Sequence, residues 1–318
     1  MTRKVAYKVR IDDLEFTSGV TSIRCESGLT GGVNFCELRF APGGEDLFTK
    51  AGKNNSVCVE LGYDELFTVF TGSAVRMSKT HETIQVVALS CFSTILQTHA
   101  NLTYEGFHAG EMISDVLEKY KISEEKIETG ISYPTYYFSD RSSLFSQIKT
   151  LALYSGFDFY ATVTDQAVLA KYKASKVHKI HYGKEIISYE VRSDREQPQG
   201  VAVYGMSPAG SFGSDAYSWI SHKEVIGRAG DPESENTSLV EPSLRDDASV
   251  EKAAKAVADK KAMVDFGELK IPGRSSIQLG EAVAIIGLNG GEGHKIKSIK
   301  HHVSREKGFV TTLNWEGK

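Results

Sequence analysis

Cysteine is scarce in this chain of 318 residues, and its four cysteines show no C-x-x-C spacing. Structural zinc sites and redox pairs rely on close cysteine spacings, so the sequence predicts neither. The thiols stand in strand-like apolar surroundings, such as Val57-Cys58-Val59. We therefore expect buried free thiols, and not a disulfide framework, at Cys25, Cys36, Cys58 and Cys91.

Long hydrophobic runs and a charge excess of one sign are also missing. No window approaches the roughly 18 apolar residues of a membrane helix, and the N-terminal stretch MTRKVAYKVRIDD has no apolar signal core. We expect no membrane partner, and synthesis in the cytoplasm. With 37 basic and 41 acidic residues the net charge is −4, which gives no drive toward nucleic acid, so we expect no sequence-specific nucleic-acid partner.

Known catalytic and phosphate-binding motifs are absent from the sequence. Ser146, Ser155 and Ser188 lie outside any G-x-S-x-G pattern, which argues against a serine nucleophile elbow. The glycine-rich stretch 288–295, LNGGEGHK, lacks the G-K-[ST] ending of a phosphate loop and is interpreted as a hairpin loop. The sequence therefore predicts no catalytic residue and no cofactor.

Acidic pairs and an aromatic stretch keep a second class of function open. Asp12-Asp13 or Glu124-Glu125 could serve as glycosidase carboxylates, but two acids on a loop are more often solvated surface. The stretch YPTYYF at 133–138 could stack on sugars or bases. It lacks basic neighbours, which favours packing inside a domain or an interface.

Histidines are the remaining candidates for metal ligands. His301 and His302 are adjacent in a strand pattern and so face opposite sides, which prevents both from facing one ion beside His294 without a bulge. His178 and His181 lie near a predicted domain junction, at a spacing that suggests no catalytic geometry. We therefore expect no metal site.

Short alternating strands are abundant, and with 41% hydrophobic residues they indicate a globular protein. Residues 1–93 contain six strand patterns, which predict a first antiparallel β-barrel. Residues 94–175 contain two helical stripes followed by a hairpin, which predict an α+β insert domain. Asp140 is placed to cap the second helix and Gly156 to end it.

Strand patterns resume in the last third of the chain. Residues 176–208 and 266–318 are assigned to a second, discontinuous β-barrel. Between them, residues 209–265 are predicted to form a polar, exposed excursion, followed by a helix that Asp246/Asp247 caps. The predicted fold class is thus mainly β, with an α+β insert and two similar antiparallel β-barrels in one chain.

The two predicted barrels share an order of features. Residues 57–90 can be laid on residues 282–315 at a constant offset. In both segments a buried strand ends at a glycine, Gly62 or Gly287, before a loop, a long strand, a polar turn and an alternating strand. This correspondence predicts an internal duplication.

The features of residues 249–318 resemble, in their order, the C-terminal part of the phage late control D family, the baseplate hub proteins of contractile tails. Relatives of that family include the hub portion of type VI secretion spike proteins. The shared features are an Ala/Lys helix, an L-x-I-P-G strand and turn, an L-G-E-A-V strand, and the hairpin HKIKSIKHHVS…GFVTTL. The segment SDRSSLFSQIKTLALYSGFDFYATV also resembles the family, through its acidic helix start, Leu-rich helix and Gly-Phe opening of an aromatic strand.

The resemblance implies a structural protein and not an enzyme. It implies a homotrimeric ring, with six barrels around a channel, that joins the tail tube to the central spike. The implied partners are the spike protein, the tail tube or a tube-initiator protein, the tape-measure protein and the baseplate wedge. The implied location is a virion or injection particle assembled in the bacterial cytoplasm, and the end of the sequence at Lys318 predicts that the needle is a separate chain.

Phe309, Leu313 and Trp315 lie on one face of the last strand at period two, which makes them candidates for a contact between subunits. The alternative function is a tail-associated cell-wall hydrolase or a carbohydrate-binding β-barrel protein.

Overall fold

The structure is a computed structural model that describes residues 4–29, 32–41, 55–193, 200–206, 225–231, 235–262, 265–287 and 293–317. Its described residues form mainly β-structure with four helices. The helices are α1 (Phe92–Gln97), α2 (Ala109–Lys119), α3 (Leu144–Ser155) and α4 (Asp247–Lys261). The strands of the N-terminal part are β1 (Ala6–Ile11), β2 (Leu14–Phe16), β3 (Val20–Gly28), β4 (Phe35–Phe40), β5 (Ser56–Gly62), β6 (Leu66–Lys79) and β7 (Ile84–Leu89). Those of the middle part are β8 (Leu102–His108), β9 (Glu124–Ile127), β10 (Ser132–Phe138), β11 (Asp158–Ala161), β12 (Ala167–Ala170), β13 (Val177–His181), β14 (Ser188–Ser193), β15 (Gly200–Tyr204), β16 (Ile226–Ala229) and β17 (Glu235–Val240). The last are β18 (Asp265–Pro272), β19 (Ala282–Ile286), β20 (His294–Ser304) and β21 (Gly308–Gly317).

One large sheet joins the strands that the sequence divides between two barrels. Its order is β14-β18-β21-β20-β3-β4-β7-β6-β5-β1-β2, with β19 pairing with the start of β20 and β13 pairing with β19. All pairings in this sheet are antiparallel except β13 with β19. The fold class predicted from the strand patterns, mainly β with an α+β insert, is confirmed.

The predicted duplication appears in the sheet as two sets of five strands in the same order. We call β3-β4-β7-β6-β5 the first repeat and β14-β18-β21-β20-β19 the second repeat. Two successive pairs between the long strand of each repeat and the strand after it match at the offset that the sequence predicts, and a bulge between Ala74 and Arg76 then shifts β6 by one residue. The matching pairs are Ser73–Leu89 and Ala74–Ala88 in the first repeat, and Ser298–Asn314 and Ile299–Leu313 in the second.

Each repeat buries its own group of apolar side chains. Alternation along the strands puts every second residue on the covered face, as for Cys36, Leu38 and Phe40 in β4. Phe309 of β21 belongs to the core of the first repeat, although its strand is part of the second. The two cores are therefore linked through one aromatic side chain. The core of the second repeat consists of Ile180, Leu269, Ile271, Ile277, Val283, Ile285, Ile296, Ile299, Leu313 and Trp315.

The insert has its own core, built from α1, α2, α3 and two small sheets. Gly156 ends α3 with a left-handed φ of 74°, as predicted. The cap at the other end differs from the prediction. Ser143, and not Asp140, caps α3, because its hydroxyl accepts the Ser146 amide at 3.3 Å one turn into the helix.

The strand β15 and the helix α4 belong with the insert, whereas the sequence analysis assigned β15 to the second barrel. β15 pairs with β16 and β17 in a separate three-stranded sheet. Val201, Val203, Val250 and Val257 lie in the same core as the insert helices. The reason is that the small apolar face of α4 packs against α3 and against this sheet. Asp246 caps α4, as predicted, by accepting the Ser249 amide at 2.9 Å.

Part of the predicted polar excursion lies outside the described residues, namely 209–224 and 232–234. Its described parts form β16 and β17, which flank β15 on either side. These parts are thus strands of the small sheet and not an exposed loop. β15 is the central strand of this sheet, since it pairs with β16 along one edge and with β17 along the other.

Candidate assembly interface

The two repeats are connected along β20. β21 pairs with one side of this strand over most of its length. β19 pairs with the other side only at Ala282–Lys295 and Val283–His294. From Ser298 to Ser304 that side pairs instead with β3, the edge strand of the first repeat. We call this β3–β20 pairing the seam. At the seam, an edge strand of one repeat docks on the long strand of the other.

Charged side chains mark the register of the seam. Lys300 and Glu26 are paired in the ladder, and their side chains form an ion pair of 2.9 Å. Arg24 adds a second contact to Glu26, at 2.7 Å. Burial acts to raise the pKa of Glu26, but the hydrogen bonds from Lys300 and Arg24 outweigh it, so that its pKa is lowered. Because these side chains are 36–41% exposed, the pairs contribute about 1 kcal/mol or less each and serve mainly to select the register.

Several strand edges of the large sheet have no strand partner among the described residues, including those of β2 and β13, and two of them belong to the repeats. One is the outer edge of β14, whose other edge pairs with β18. The second is the segment 75–78 of β6, on the side away from β7, because β5 pairs with β6 only as far as Ser73. The side chains of Glu190 and Arg192 on β14 are 58% and 77% exposed. Open strand edges present unpaired backbone groups that can accept another strand.

The three candidate contact residues of the last strand lie inside the chain. Phe309, Leu313 and Trp315 are 4%, 0% and 2% exposed, respectively. Trp315 stacks on His294, with ring centroids 4.1 Å apart. The period-two pattern correctly placed the three on one face, but that face is covered by the protein's own cores. A role in contacts between subunits remains a prediction for the strand that carries them.

The candidate glycosidase carboxylates have structural or exposed positions. Asp12 has a positive φ of 46° and holds a turn, because its carboxylate accepts the backbone and side-chain groups of Ser56 at 2.7 and 2.9 Å. Asp13, Glu124 and Glu125 are exposed. The aromatic stretch 133–138 lies in β10, with Tyr133, Tyr136 and Phe138 buried in the core of the insert. Among the described residues it therefore supplies packing more than an open stacking surface.

The histidines occupy separate positions. His301 is 4% exposed and its Nδ1 lies 3.0 Å from the Thr311 hydroxyl, whereas His302 is half-buried on the opposite face. His178 is buried at the β13–β19 pairing, with Nε2 2.7 Å from Glu281. Within the described part of the chain no group of three or more His, Cys, Asp or Glu side chains is arranged to hold a metal ion.

A cleft of about 700 Å³ lies between the insert and the second repeat. Beside it, Lys295 of β20 contacts Asp158 of β11 at 2.7 Å, and its ammonium group lies 4.9 Å from the centre of the Tyr172 ring. These two contacts join the insert to the second repeat. Glu281, which lines the cleft, is held within its own part of the chain, since it accepts the Gln278 amide at 2.7 Å and contacts His178.

The seam and its charges are not predicted by any local pattern in the sequence. Lys300 and Glu26 are separated by most of the chain, and no local pattern connects them. A signal was available, because the duplication could have been extended from β6 and β20 to the edge strands. That extension would have identified Glu26 and Glu190 as equivalent residues of the two repeats.

Comparison with known proteins supports the architecture. No family model and no curated protein sequence matches this chain. Solved structures do match it over nearly its whole length. The tail protein of Neisseria meningitidis MC58 has a TM-score of 0.75 at 14% identity, over 99% of this chain and 97% of that one. The 43 kDa tail protein of prophage MuSo2 from Shewanella oneidensis has a TM-score of 0.72 at 12% identity, over 98% of both chains.

The chain has the fold of phage tail proteins. A component of the Escherichia coli type VI secretion system also matches, with a TM-score of 0.59 at 8% identity, over 96% of this chain and 76% of that one. The fold expected from the late control D resemblance is therefore confirmed. In the residues that the structure describes, no helix has the length and apolar character needed to cross a membrane.

Proposed function

We propose that this protein is a structural baseplate hub of a contractile phage tail or a related contractile injection particle. The observation that carries the proposal is the presence of two repeats with the same strand order in a chain with the fold of phage tail proteins. A hub must connect parts of different symmetry, and a duplicated sheet is a means of doing so.

The duplication sets the geometry of the proposed assembly. Three copies with two repeats each make a ring of six similar units, which suits a sixfold tube on one side and a threefold spike on the other. The partners are then two further copies of this chain, the central spike protein and the tail tube or a tube-initiator protein. The tape-measure protein and the baseplate wedge are neighbours in the same particle. The location is the tail baseplate, assembled in the bacterial cytoplasm.

The buried aromatic residues of β21 serve this assembly indirectly. Phe309, Leu313 and Trp315 lie on β21, which pairs with one side of β20, while the other side of β20 forms the seam. Their burial in the cores holds β21 and β20 in position, and they do not themselves touch another subunit. They contribute to the ring by keeping β20 rigid.

The proposed role involves no catalysis. The alternative, a cell-wall hydrolase or carbohydrate-binding protein of the tail, would need an accessible pair of carboxylates or an open aromatic surface. Asp12 is instead engaged with Ser56, and Tyr133 and Phe138 are buried. The contacts of these three residues favour the structural role. Glu124 and Glu125 are exposed, so they are the carboxylates to substitute when the alternative is tested.

The mass of the purified protein in solution, alone and with its spike partner, tests the proposal. We expect a trimer, formed either by the protein alone or in the presence of the spike. A protein that stays monomeric with the spike present would contradict the hub role. Zymography on cell walls tests the alternative, since clearing that is abolished by a single carboxylate substitution would identify a hydrolase.

A further inference from the structure

The ladder of each repeat leads to a glutamate on its edge strand. Starting from Ser73 on β6 and from Ser298 on β20, cross-strand partners can be followed through the repeat to β3 and β14. The two paths cross the same number of strands and end on Glu26 and Glu190. The first path is Ser73–Leu89–Phe35–Glu26, and the second is Ser298–Asn314–Glu268–Glu190.

The long strands also carry a basic residue at equivalent positions. Arg76 pairs with Val87, two residues before Leu89 on β7. Lys300 pairs with Thr312, two residues before Asn314 on β21. In ladder position, Arg76 of the first repeat therefore corresponds to Lys300 of the second, because the bulge between Ala74 and Arg76 adds one residue to β6, and Glu190 corresponds to Glu26.

Within the chain, only one of the two possible seams is formed by the described residues. Lys300 of the second repeat meets Glu26 of the first. The corresponding seam would join Arg76 of a first repeat to Glu190 of a second repeat. Its two strand edges, the segment 75–78 of β6 and the outer edge of β14, have no strand partner among the described residues.

We propose that β14 of one copy of this chain pairs antiparallel with residues 75–78 of β6 in a second copy, and that Glu190 forms an ion pair with Arg76 across this contact. The contact repeats between copies the seam that the structure shows inside one copy. It rests on the proposed function for the existence of the ring, and it specifies how neighbouring subunits are joined.

The charges and the positions of the two open edges fit a second copy of this chain as the partner. Glu190 and Arg76 have opposite charges and lie on exposed stretches of their strands. Each copy offers one edge of each kind, so the contact is head-to-tail and can close a ring when the rotation per repeat is the same at every seam. Charged residues on open edges discourage pairing with unrelated strands, and the complementary pair selects the correct partner and register.

Charge reversal tests the contact. We expect Arg76→Glu or Glu190→Lys to raise the dissociation constant of the trimer at least about tenfold, because each places like charges opposite each other at every subunit contact. The double variant, which restores complementary charges, is expected to return it to within about threefold of the original. Lys179→Glu on β13 and Glu105→Lys on β8 are matched controls, since both residues are exposed on strands outside the contact. Equal effects of the control and contact variants, or no rescue in the double variant, would contradict the ion pair.

Cross-linking tests the strand pairing directly. A variant that carries both Arg76→Cys and Glu190→Cys should yield disulfide-linked dimers and trimers on a non-reducing gel after mild oxidation. Each single cysteine variant is the control for the native thiols, of which Cys25 and Cys36 are buried. A trimer in solution that neither cross-links nor responds to charge reversal would overturn this contact while leaving the hub role in place. A wild-type protein that stays monomeric with the spike present would instead overturn the hub role itself.

Discussion

The ring of Phe309, near the start of the last strand, packs against the ring of Tyr63, directly after β5, with centroids 5.8 Å apart. The contact joins the C-terminal strand to the core of the first repeat. A backbone feature supports it, because a Cβ on Gly273 would lie 2.0 Å from the Phe309 ring, so the ring depends on a glycine beneath it. The two repeats therefore share part of one core.

Phe309→Ala should destabilise the whole large sheet and not just the second repeat. The loss of a buried phenylalanine typically costs about 3–5 kcal/mol in the free energy of unfolding. Tyr137→Ala, at a side chain that is 53% exposed, is the control and should change it by less than about 1 kcal/mol. Chemical denaturation followed by fluorescence measures both. Two separate transitions in the Phe309 variant would show that the repeats unfold independently, contrary to this expectation.

Gly267 should tolerate no side chain because Trp315 lies over it. The two residues are cross-strand partners, and a Cβ on Gly267 would come within 2.3 Å of the indole ring. We expect Gly267→Ala to cost about 1–3 kcal/mol through overpacking. Trp315→Leu creates a cavity by itself, but combined with Gly267→Ala it should cost less than the sum of the two single changes. Strict additivity in thermal unfolding would argue against the overlap.

The burial of Trp315 also determines what a charge at this position does. Trp315→Asp places an unpaired carboxylate in the core of the second repeat, which is strongly unfavourable. We expect this variant to lose folded protein, and not merely trimer. Circular dichroism together with light scattering separates the two effects. A folded monomer would show that Trp315 acts in assembly more than in the fold.

His301 should make the protein sensitive to mild acid. Burial lowers its pKa to about 4, whereas the unfolded chain keeps the ordinary value of 6.5. Between these two values the unfolded state binds more protons, so its free energy falls relative to that of the folded state as the pH falls. The contribution of His301 is present in full above about pH 6.5, and about 3 kcal/mol of it is lost by about pH 4.

Denaturant unfolding at pH 7 and pH 5 measures this effect. His301→Gln removes the ionisable ring but keeps a polar group near Thr311, so its stability should depend less on pH than that of the wild type. His81→Gln is the control because the side chain of His81 is 89% exposed. An unchanged pH dependence in the His301 variant would locate the acid sensitivity in another group.

Asp246 should stabilise the helix that attaches β15–β17 to the insert. Its carboxylate accepts the Ser249 amide at 2.9 Å and the Ser249 hydroxyl at 2.6 Å. Loss of such a cap costs about 1 kcal/mol, so Asp246→Ala should lower the melting temperature. Asp259→Ala, at an exposed position late in α4, should leave it unchanged or raise it slightly, since alanine favours helices. Equal losses in both variants would argue against the cap.

The elements that the sequence predicted well are those with a strong period. Alternation identified the strands of both repeats, and the common offset between 57–90 and 282–315 matches the ladder pairs Ser73–Leu89 and Ser298–Asn314. Gly156 was recognised as a helix end because a left-handed residue is needed there and glycine adopts it at little cost. These signals depend only on neighbours in the sequence.

The features that the sequence did not predict depend on distant partners. The period of Gly200–Tyr204 identified a strand but could not say that it pairs with β16 and β17 in place of the large sheet. Likewise, the common face of Phe309 and Trp315 was predicted, but not that the protein's own cores cover it. The partner of an apolar face is a tertiary property, and local pattern does not contain it.

The seam also has a consequence for the order of events during synthesis. β3 ends at Gly28, but its partner β20 begins only at His294, so most of the chain must leave the ribosome before this edge is covered. The first repeat can gather its own core early, yet it carries an open strand edge throughout translation. Contacts between such distant segments form slowly, and open edges attract other chains in the meantime. The charged residues Arg24 and Glu26 on β3 are thus suited to protecting the nascent chain from aggregation until its own C-terminal strands arrive.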